Sequence, residues 1–201
     1  IEKHLGCSEA TLDNIKGLVD KGAAFLKLDL VTDINGDVAV GTKDGPLMIE
    51  VLDVIDEYIK KEGRSSVGFN FEINTAAGKE EGKTVPYYHA HADYVMMDLW
   101  SRYMGDRLMI TGSDYRSLNH LNEKYPEVDL AFKVAQGTED ADKAMKRLGF
   151  TPKWISFHCT DVNADLIRKY HDKGMYVSVW GINDDETAAR IISLEPDAII
   201  Y

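Results

Sequence analysis

Segments rich in β-branched and aromatic residues alternate with helical segments along the whole chain, and this alternation restricts the fold more than any other feature. The predicted strands are residues 1–4, 25–30, 67–73, 107–111, 129–134, 154–159, 176–180 and 198–201. The predicted helices are residues 8–22, 47–61, 91–104, 113–124, 139–148, 163–173 and 186–194. Strands that are joined through helices pair in parallel, because each crossover returns the chain to the same end of the sheet.

Eight strands and seven helices in 201 residues predict an α/β fold, namely a small (β/α)8 TIM-type barrel with room for distortion. A doubly wound open sheet is the alternative. No linker interrupts the alternation, so residues 1–201 are predicted to form a single domain. The pair Asn35 and Gly36 predicts a small hairpin outside the main sheet.

The acidic composition limits the partners of this chain. It has 23 Lys and Arg residues against 34 Asp and Glu residues, which gives a formal net charge of -11. The resulting field repels nucleic acids and anionic membrane surfaces, so no nucleic-acid partner is predicted. No apolar run approaches the ~20 residues that a membrane-spanning helix needs, and no membrane span is predicted. The sequence carries no signal for a compartment or an oligomeric state.

Polar residues alternate with apolar ones in several predicted strands. Lys27 and Asp29 share one face of the second strand, and Asn70 and Glu72 share one face of the third. The same alternation pairs Asp129 with Lys133, Ser156 with His158 and Ser178 with Trp180, and it puts His4 at the end of the first strand. Parallel strands that are covered by helices are normally apolar on both faces. These polar faces therefore predict a polar cavity at the C-terminal ends of the barrel strands.

Asp29 and Glu72 are candidate site residues because a carboxylate that is removed from water needs a cation or several hydrogen bonds. Our hypothesis is that Lys27 acts as an internal cation and pairs with both carboxylates. Asn70 and Ser156 are interpreted instead as polar residues of the barrel whose hydrogen bonds are satisfied within the protein.

Three segments carry a family resemblance that covers nearly the whole chain. Residues 169–183 read KYHDKGMYVSVWGIN, residues 110–114 read ITGSD, and residues 46–52 read PLMIEVL. In order and spacing they resemble the runs AHxxGLxVxVWTVN, ISSFD and PTLEEVL of the glycerophosphodiester phosphodiesterase family. The resemblance implies a (β/α)8 barrel that hydrolyses a small-molecule phosphodiester, converting glycerophosphodiesters to glycerol 3-phosphate and an alcohol with a divalent metal and two histidines.

The resemblance also implies roles for individual residues. His4, in the run HLG, is similar to the histidine of the family motif HRG and is the candidate catalytic residue. Asp29, in LDL, and Glu72, in FEIN, resemble the metal ligands of the family, for which oxygen donors imply Mg²⁺ or Ca²⁺. Lys27 stands where the family has its first metal-binding glutamate, and a protonated ammonium group has no lone pair for a metal.

Two functions follow from these residues. In a phosphodiesterase, His4 would act alone or with His158, and Lys133 or Lys43 would hold the phosphate. Lys43 is named because the second histidine of the family falls on residue 42 or 43. In the alternative, a catalytically degenerate barrel binds a phosphodiester or sugar-phosphate without turnover. Its substrate-binding residues would be Lys27, Lys133, His158 and Trp180.

A third interpretation rests on His89 and His91, because a His-x-His pair can bind a transition metal in amidohydrolase-like barrels. The spacing of Tyr94, Met97 and Trp100 predicts a helix over this segment, which would point the two histidines in different directions. The helix is therefore favoured over an amidohydrolase-like metal site.

Overall fold

Eight parallel strands close into a barrel in the computed structural model, which describes residues 1–33, 35–73, 79–80, 83–84, 88–102 and 104–201. In chain order the strands are β1 Glu2–Leu5, β2 Phe25–Thr32, β3 Val38–Val40, β4 Gly68–Ile73, β5 Lys79–Glu80, β6 Lys83–Thr84, β7 Leu108–Gly112, β8 Asp129–Lys133, β9 Trp154–His158, β10 Tyr176–Trp180 and β11 Ala198–Ile200. The barrel consists of β1, β2, β4, β7, β8, β9, β10 and β11 in this order, and it closes because β1 pairs with both β11 and β2.

This closed sheet confirms the predicted (β/α)8 barrel and excludes the doubly wound open sheet. Each predicted barrel strand is present, and the largest difference in length is at β2, which ends at Thr32 rather than at residue 30. The additional residues of β2 pair in antiparallel fashion with β3. A hairpin therefore forms around Asn35 and Gly36 as predicted, but it extends a barrel strand instead of standing apart from the sheet.

Helices connect the barrel strands. They are α1 Leu12–Asp20, α2 Met48–Lys61, α3 Tyr88–Trp100, α4 Tyr115–Lys124, α5 Ala141–Met145, α6 Ala164–Asp172 and α7 Asp185–Ile192, and a 3₁₀ turn covers Gly105–Arg107. The helix predicted from residue 8 begins only at Leu12, because the Thr11 hydroxyl accepts the N–H of Asn14 and caps the helix there. Asp140 caps α5 through the N–H of Lys143 in the same way. None of the described helices is long and apolar enough to span a membrane.

The hydrophobic core lies between the strands and the surrounding helices. Leu26, Leu28 and Leu30 of β2 are buried in it, together with Ile15 of α1 and Ile55 of α2. The alternation of β2 thus directs its leucines to the helices and leaves the opposite face for the barrel interior.

Candidate active site

A cavity of about 450 Å³ opens at the C-terminal ends of the barrel strands. Its walls include charged and aromatic side chains from β2, β4, β8 and β10, namely Lys27, Asp29, Glu72, Lys133 and Trp180. The structure therefore brings together five of the eight predicted site residues at the end of the barrel where the sites of such barrels lie.

Four of these side chains form one connected group, which we call the ion cluster: Lys27, Asp29, Glu72 and Lys133. Asp29 and Glu72 stand opposite each other on the paired strands β2 and β4. Lys27 Nζ lies 3.2 Å from Asp29 Oδ1, to which it donates a hydrogen bond, and 3.7 Å from Glu72 Oε1. Lys133 Nζ lies 3.0 Å from the same Glu72 oxygen. Each carboxylate is therefore in contact with at least one ammonium group.

The ion cluster fixes the charge of Asp29. Burial by itself would raise the pKa of Asp29, but the adjacent Lys27 ammonium, with smaller contributions from a hydrogen bond with Glu72 and from the charge of Lys133, holds this pKa below its ordinary value. Asp29 is therefore ionised at neutral pH. With two carboxylates and two ammonium groups, the cluster carries no net charge.

An aromatic wall adjoins the ion cluster. Lys133 Nζ lies 4.2 Å from the centre of the Trp180 ring, a distance at which the cation is attracted to the ring face. Trp180 Nε1 is buried and has no hydrogen-bond partner among the described residues. The Ser156 hydroxyl, in the cavity wall, is also buried without a partner there. Both residues line the cavity, and a ligand reaches these buried groups only if the wall rearranges.

His158 does not line the cavity but packs against Trp180, with 4.6 Å between the ring centroids and an angle of 79° between the ring planes. Its Nδ1 accepts the backbone N–H of Thr160 at 3.2 Å, so the neutral ring carries its proton on Nε2. A Cβ at Gly181, which lines the cavity, would lie 2.4 Å from this Nε2. Gly181 has a φ of 80°, and because it has no side chain it leaves the space that the imidazole of His158 occupies.

The structure does not bring His4 to the cavity. Its side chain is 0% exposed, and its ring packs on Phe25 and Trp154, which line a separate cavity at the N-terminal ends of the strands. The position at the level of the ion cluster belongs to Gly6, which directly follows β1, has no side chain and lies two residues beyond His4. His4 therefore does not make the expected contact with the cavity, because β1 places it below the level of the ion cluster, toward the N-terminal ends of the strands.

Asn70 connects His4 to the cavity wall. The Thr111 hydroxyl donates to Asn70 Oδ1 at 2.7 Å, and the Asn70 amide lies 3.1 Å from His4 Nδ1. Asn70 is thus a satisfied barrel residue, as expected from the sequence. Ser156 departs from that expectation, since its hydroxyl has no partner among the described residues.

Lys43 also lies away from the cavity. It is an exposed residue in the turn that follows β3, whereas Gly41, two positions earlier, lines the cavity. The hairpin carries Lys43 to the surface, and Lys43 is not among the residues that line the cavity.

The segment with His89 and His91 is helical, as the favoured interpretation predicted. His91 is buried, and its Nδ1 is bonded to the Thr32 hydroxyl at the end of β2. Burial lowers the pKa of His91 to about 4. The described part of the chain contains no group of three His, Cys, Asp or Glu side chains that could hold a metal ion, so it gives no support to an amidohydrolase-like site.

The cavity does not present the ligand set of a divalent cation. Ca²⁺ binds six to eight oxygen ligands, and Mg²⁺ prefers octahedral oxygen coordination. Here Asp29 and Glu72 are the acidic oxygen donors of the described wall, and the Lys27 ammonium lies within 3.7 Å of both. This ammonium occupies the space between the two carboxylates and would repel a second cation.

Sequence reasoning placed Thr111 among the polar residues at strand ends but missed the residues Ser8 and Asn183 as parts of the cavity wall. The last two follow β1 and β10, in loops at the C-terminal end of the barrel. Their position directly after predicted strands was the signal that could have found them, because such loops surround the site in this fold.

A closed (β/α)8 barrel with a charged cavity at the C-terminal ends of its strands has the architecture of a barrel enzyme. The model of the glycerophosphoryl diester phosphodiesterase family matches residues 7–201, and the chain belongs to this family. A search of the curated proteins found no match.

Solved structures with the same fold include three with family descriptions. A protein from Silicibacter pomeroyi, classed as a glycerophosphoryl diester phosphodiesterase, has a TM-score of 0.80 at 15% identity and covers 100% of this chain and 89% of its own. A phosphodiesterase from Oleispira antarctica, in complex with the product sn-glycerol-3-phosphate, has a TM-score of 0.77 at 14% identity. The match covers 99% of this chain and 92% of the Oleispira chain. A glycerophosphodiester phosphodiesterase from Thermotoga maritima has a TM-score of 0.66 at 19% identity. The match covers 100% of this chain and 93% of the Thermotoga chain. At these identities the likeness shows a shared fold.

Proposed function

We propose that this protein binds a glycerophosphodiester in the cavity at the C-terminal ends of its strands and hydrolyses it to glycerol 3-phosphate and an alcohol. Family membership supports the substrate class. The observation that carries the proposal is the position of the Lys133 ammonium, which lies in this cavity between Glu72 and the face of Trp180.

The wall next to Lys133 supplies donors for a phosphate group. An ammonium has three N–H donors, and the contact of Lys133 Nζ with Glu72 is an ion pair at 3.0 Å in which Glu72 Oε1 accepts no hydrogen bond from the described residues. The unpartnered Trp180 Nε1–H and the Ser156 hydroxyl add two more donors from neighbouring strands. Because the ion cluster has no net charge, these directed donors, rather than an excess of positive charge, would position the single negative charge of a phosphodiester.

Hydrolysis forms a bond between a water oxygen and phosphorus and breaks the bond from phosphorus to the alcohol oxygen. The water loses a proton, and the leaving alcohol gains one. His158 is the candidate hydrogen-bond donor to the leaving oxygen through its Nε2–H beside Gly181 of the cavity wall, and the leaving alkoxide takes its proton from solvent. Asp29 is the candidate acceptor, because it is ionised and its side chain is 59% exposed to the water in the cavity.

The second candidate is a barrel that binds the phosphodiester without turnover. The burial of His4 favours it, because the candidate catalytic histidine of the sequence then has no contact with the cavity. In this case Lys27, Lys133, His158 and Trp180 would bind the ligand, and no proton transfer would follow.

The experiment is an assay of glycerophosphocholine hydrolysis that measures glycerol 3-phosphate, with Mg²⁺, with Ca²⁺ and with a chelator. The enzyme proposal expects turnover and a loss of about 100-fold in kcat for His158→Ala. His171→Ala is the matched control, because His171 lies on the surface of α6, where it is hydrogen-bonded to Asp197. Binding of glycerophosphocholine without turnover would support the second candidate. Absence of both binding and turnover would contradict the proposed substrate class.

A further inference from the structure

The two carboxylates of the ion cluster already have their counter-ions within the protein. Asp29 and Glu72 are in register on adjacent strands, and the Glu72 side chain is only 15% exposed. A carboxylate in such a position requires a nearby cation. Lys27 approaches both carboxylates, and Lys133 approaches Glu72 from β8.

Lys27 is held in this position by the barrel. Its side chain is only 12% exposed and shares the interior face of β2 with Asp29. The backbone of β1 packs closely on it, since a Cβ at Gly6 would lie 3.2 Å from the carbonyl oxygen of Lys27. If the ammonium moved away, the Glu72 carboxylate, which is only 15% exposed, would keep Lys133 as its counter-ion and would lose Lys27.

We infer that the Lys27 ammonium takes the place of the divalent cation that the family implies, so that this protein recognises its phosphodiester without a metal. Two ammonium groups balance two carboxylates, and a divalent cation would add two positive charges beside Lys27 without a further acidic ligand from the described cavity wall. The part of this inference that concerns the ligand rests on the proposed function, whereas the part that concerns the cation does not.

The first test is titration of the protein with Ca²⁺ and with Mg²⁺ by calorimetry. We expect no saturable binding by the unmodified protein. Lys27→Glu places a third carboxylate beside Asp29 and Glu72, and we expect it to bind Ca²⁺ at least about tenfold more tightly than the unmodified protein, because affinity rises with the number of charged ligands. Ca²⁺ should also raise the Tm of this variant.

Two control variants separate the site from the change in charge. Lys146→Glu changes the net charge equally at an exposed position just after α5, and we expect it to gain no cation site. Lys27→Met keeps much of the stem without the charge, and it tests the role of the ammonium if Lys27→Glu does not fold. We then expect Lys27→Met to bind Ca²⁺ more tightly than the unmodified protein does, since the repulsion is removed.

The second test is binding of glycerophosphocholine before and after removal of divalent cations with a chelator. Affinity that is unchanged within about twofold supports the inference. One equivalent of Ca²⁺ or Mg²⁺ bound by the unmodified protein and lost in Asp29→Asn would overturn it. Turnover that stops on chelation would overturn it while the proposed function stands. No binding of glycerophosphocholine under any condition, together with a cation site gained in Lys27→Glu, would instead refute the proposed function and leave the replacement of the cation intact.

Discussion

Lys133 reaches across the barrel to Glu72. The two residues belong to β8 and β4, which are separated by β7, yet Lys133 Nζ lies 3.0 Å from Glu72 Oε1. The contact closes the ion cluster over the floor of the cavity and leaves the remaining N–H groups of Lys133 to face Trp180 and the cavity. Lys133 is therefore the ammonium group that a phosphate would meet beside the aromatic wall.

Lys133→Met should weaken the binding of glycerol 3-phosphate by about 10- to 100-fold, because it removes a charge-assisted hydrogen bond to the phosphate. Calorimetry with glycerol 3-phosphate measures this change. Lys153→Met is the control, since Lys153 pairs with Asp129 at the N-terminal end of the strands. Equal affinities in the two variants would remove Lys133 from the phosphate site.

Gly181→Ala should displace His158 and lower kcat. Its Cβ would lie 2.4 Å from His158 Nε2, and its φ of 80° adds backbone strain of about 1 kcal/mol. Gly174→Ala is a matched control, because Gly174 has a φ of 78° and nothing within 4 Å of the added atom. We expect both variants to lose the stability that the positive φ costs, Gly181→Ala to lose more because His158 must move, and only Gly181→Ala to lose activity. A similar loss of activity in both would mean that His158 is not the affected group.

His4→Ala should act on stability more than on chemistry. It removes a fully buried ring and leaves the Asn70 amide without its partner, which together should lower the free energy of unfolding by about 3 kcal/mol. The free energy is obtained by urea unfolding, and kcat is measured at a temperature where the variant is folded. We expect kcat per folded molecule to fall by less than about tenfold. A much larger loss in the folded variant would make His4 a catalytic group.

His91 should make the protein less stable in mild acid. Its pKa is lowered by burial from 6.5 to about 4 in the fold, so between these values the unfolded chain binds a proton that the folded protein does not. Stability from this group is complete above about pH 6.5 and is lost as the pH falls toward 4. Between about pH 7.5 and about pH 5 the loss should be about 2 kcal/mol.

Urea unfolding of the protein and of His91→Gln at both pH values measures this loss. We expect the variant to lose that part of the pH dependence, whereas His171→Gln, which changes an exposed histidine paired with Asp197, should retain it. An unchanged pH dependence in His91→Gln would show that another group is responsible.

The sequence by itself determined the order of strands and helices and the direction of most polar side chains. The period of two in β2 directs Lys27 and Asp29 inward and the leucines outward, and this holds in the structure because local geometry sets it. The crossover helices then require parallel pairing, from which the barrel follows.

The tertiary structure alone decided which inward side chains meet and at what depth. Alternation shows on which face of a strand a side chain lies, but it does not show how high in the barrel that side chain lies. This height depends on the stagger between neighbouring strands. For this reason His4 lies below the cavity, the hairpin carries Lys43 to the surface, and Lys133 meets Glu72 across an intervening strand. The fold was predictable because its rules are local and repeated, and the sequence also predicted the contacts of Lys27 with both carboxylates, whereas the contact of Lys133 with Glu72 joins residues far apart in the chain.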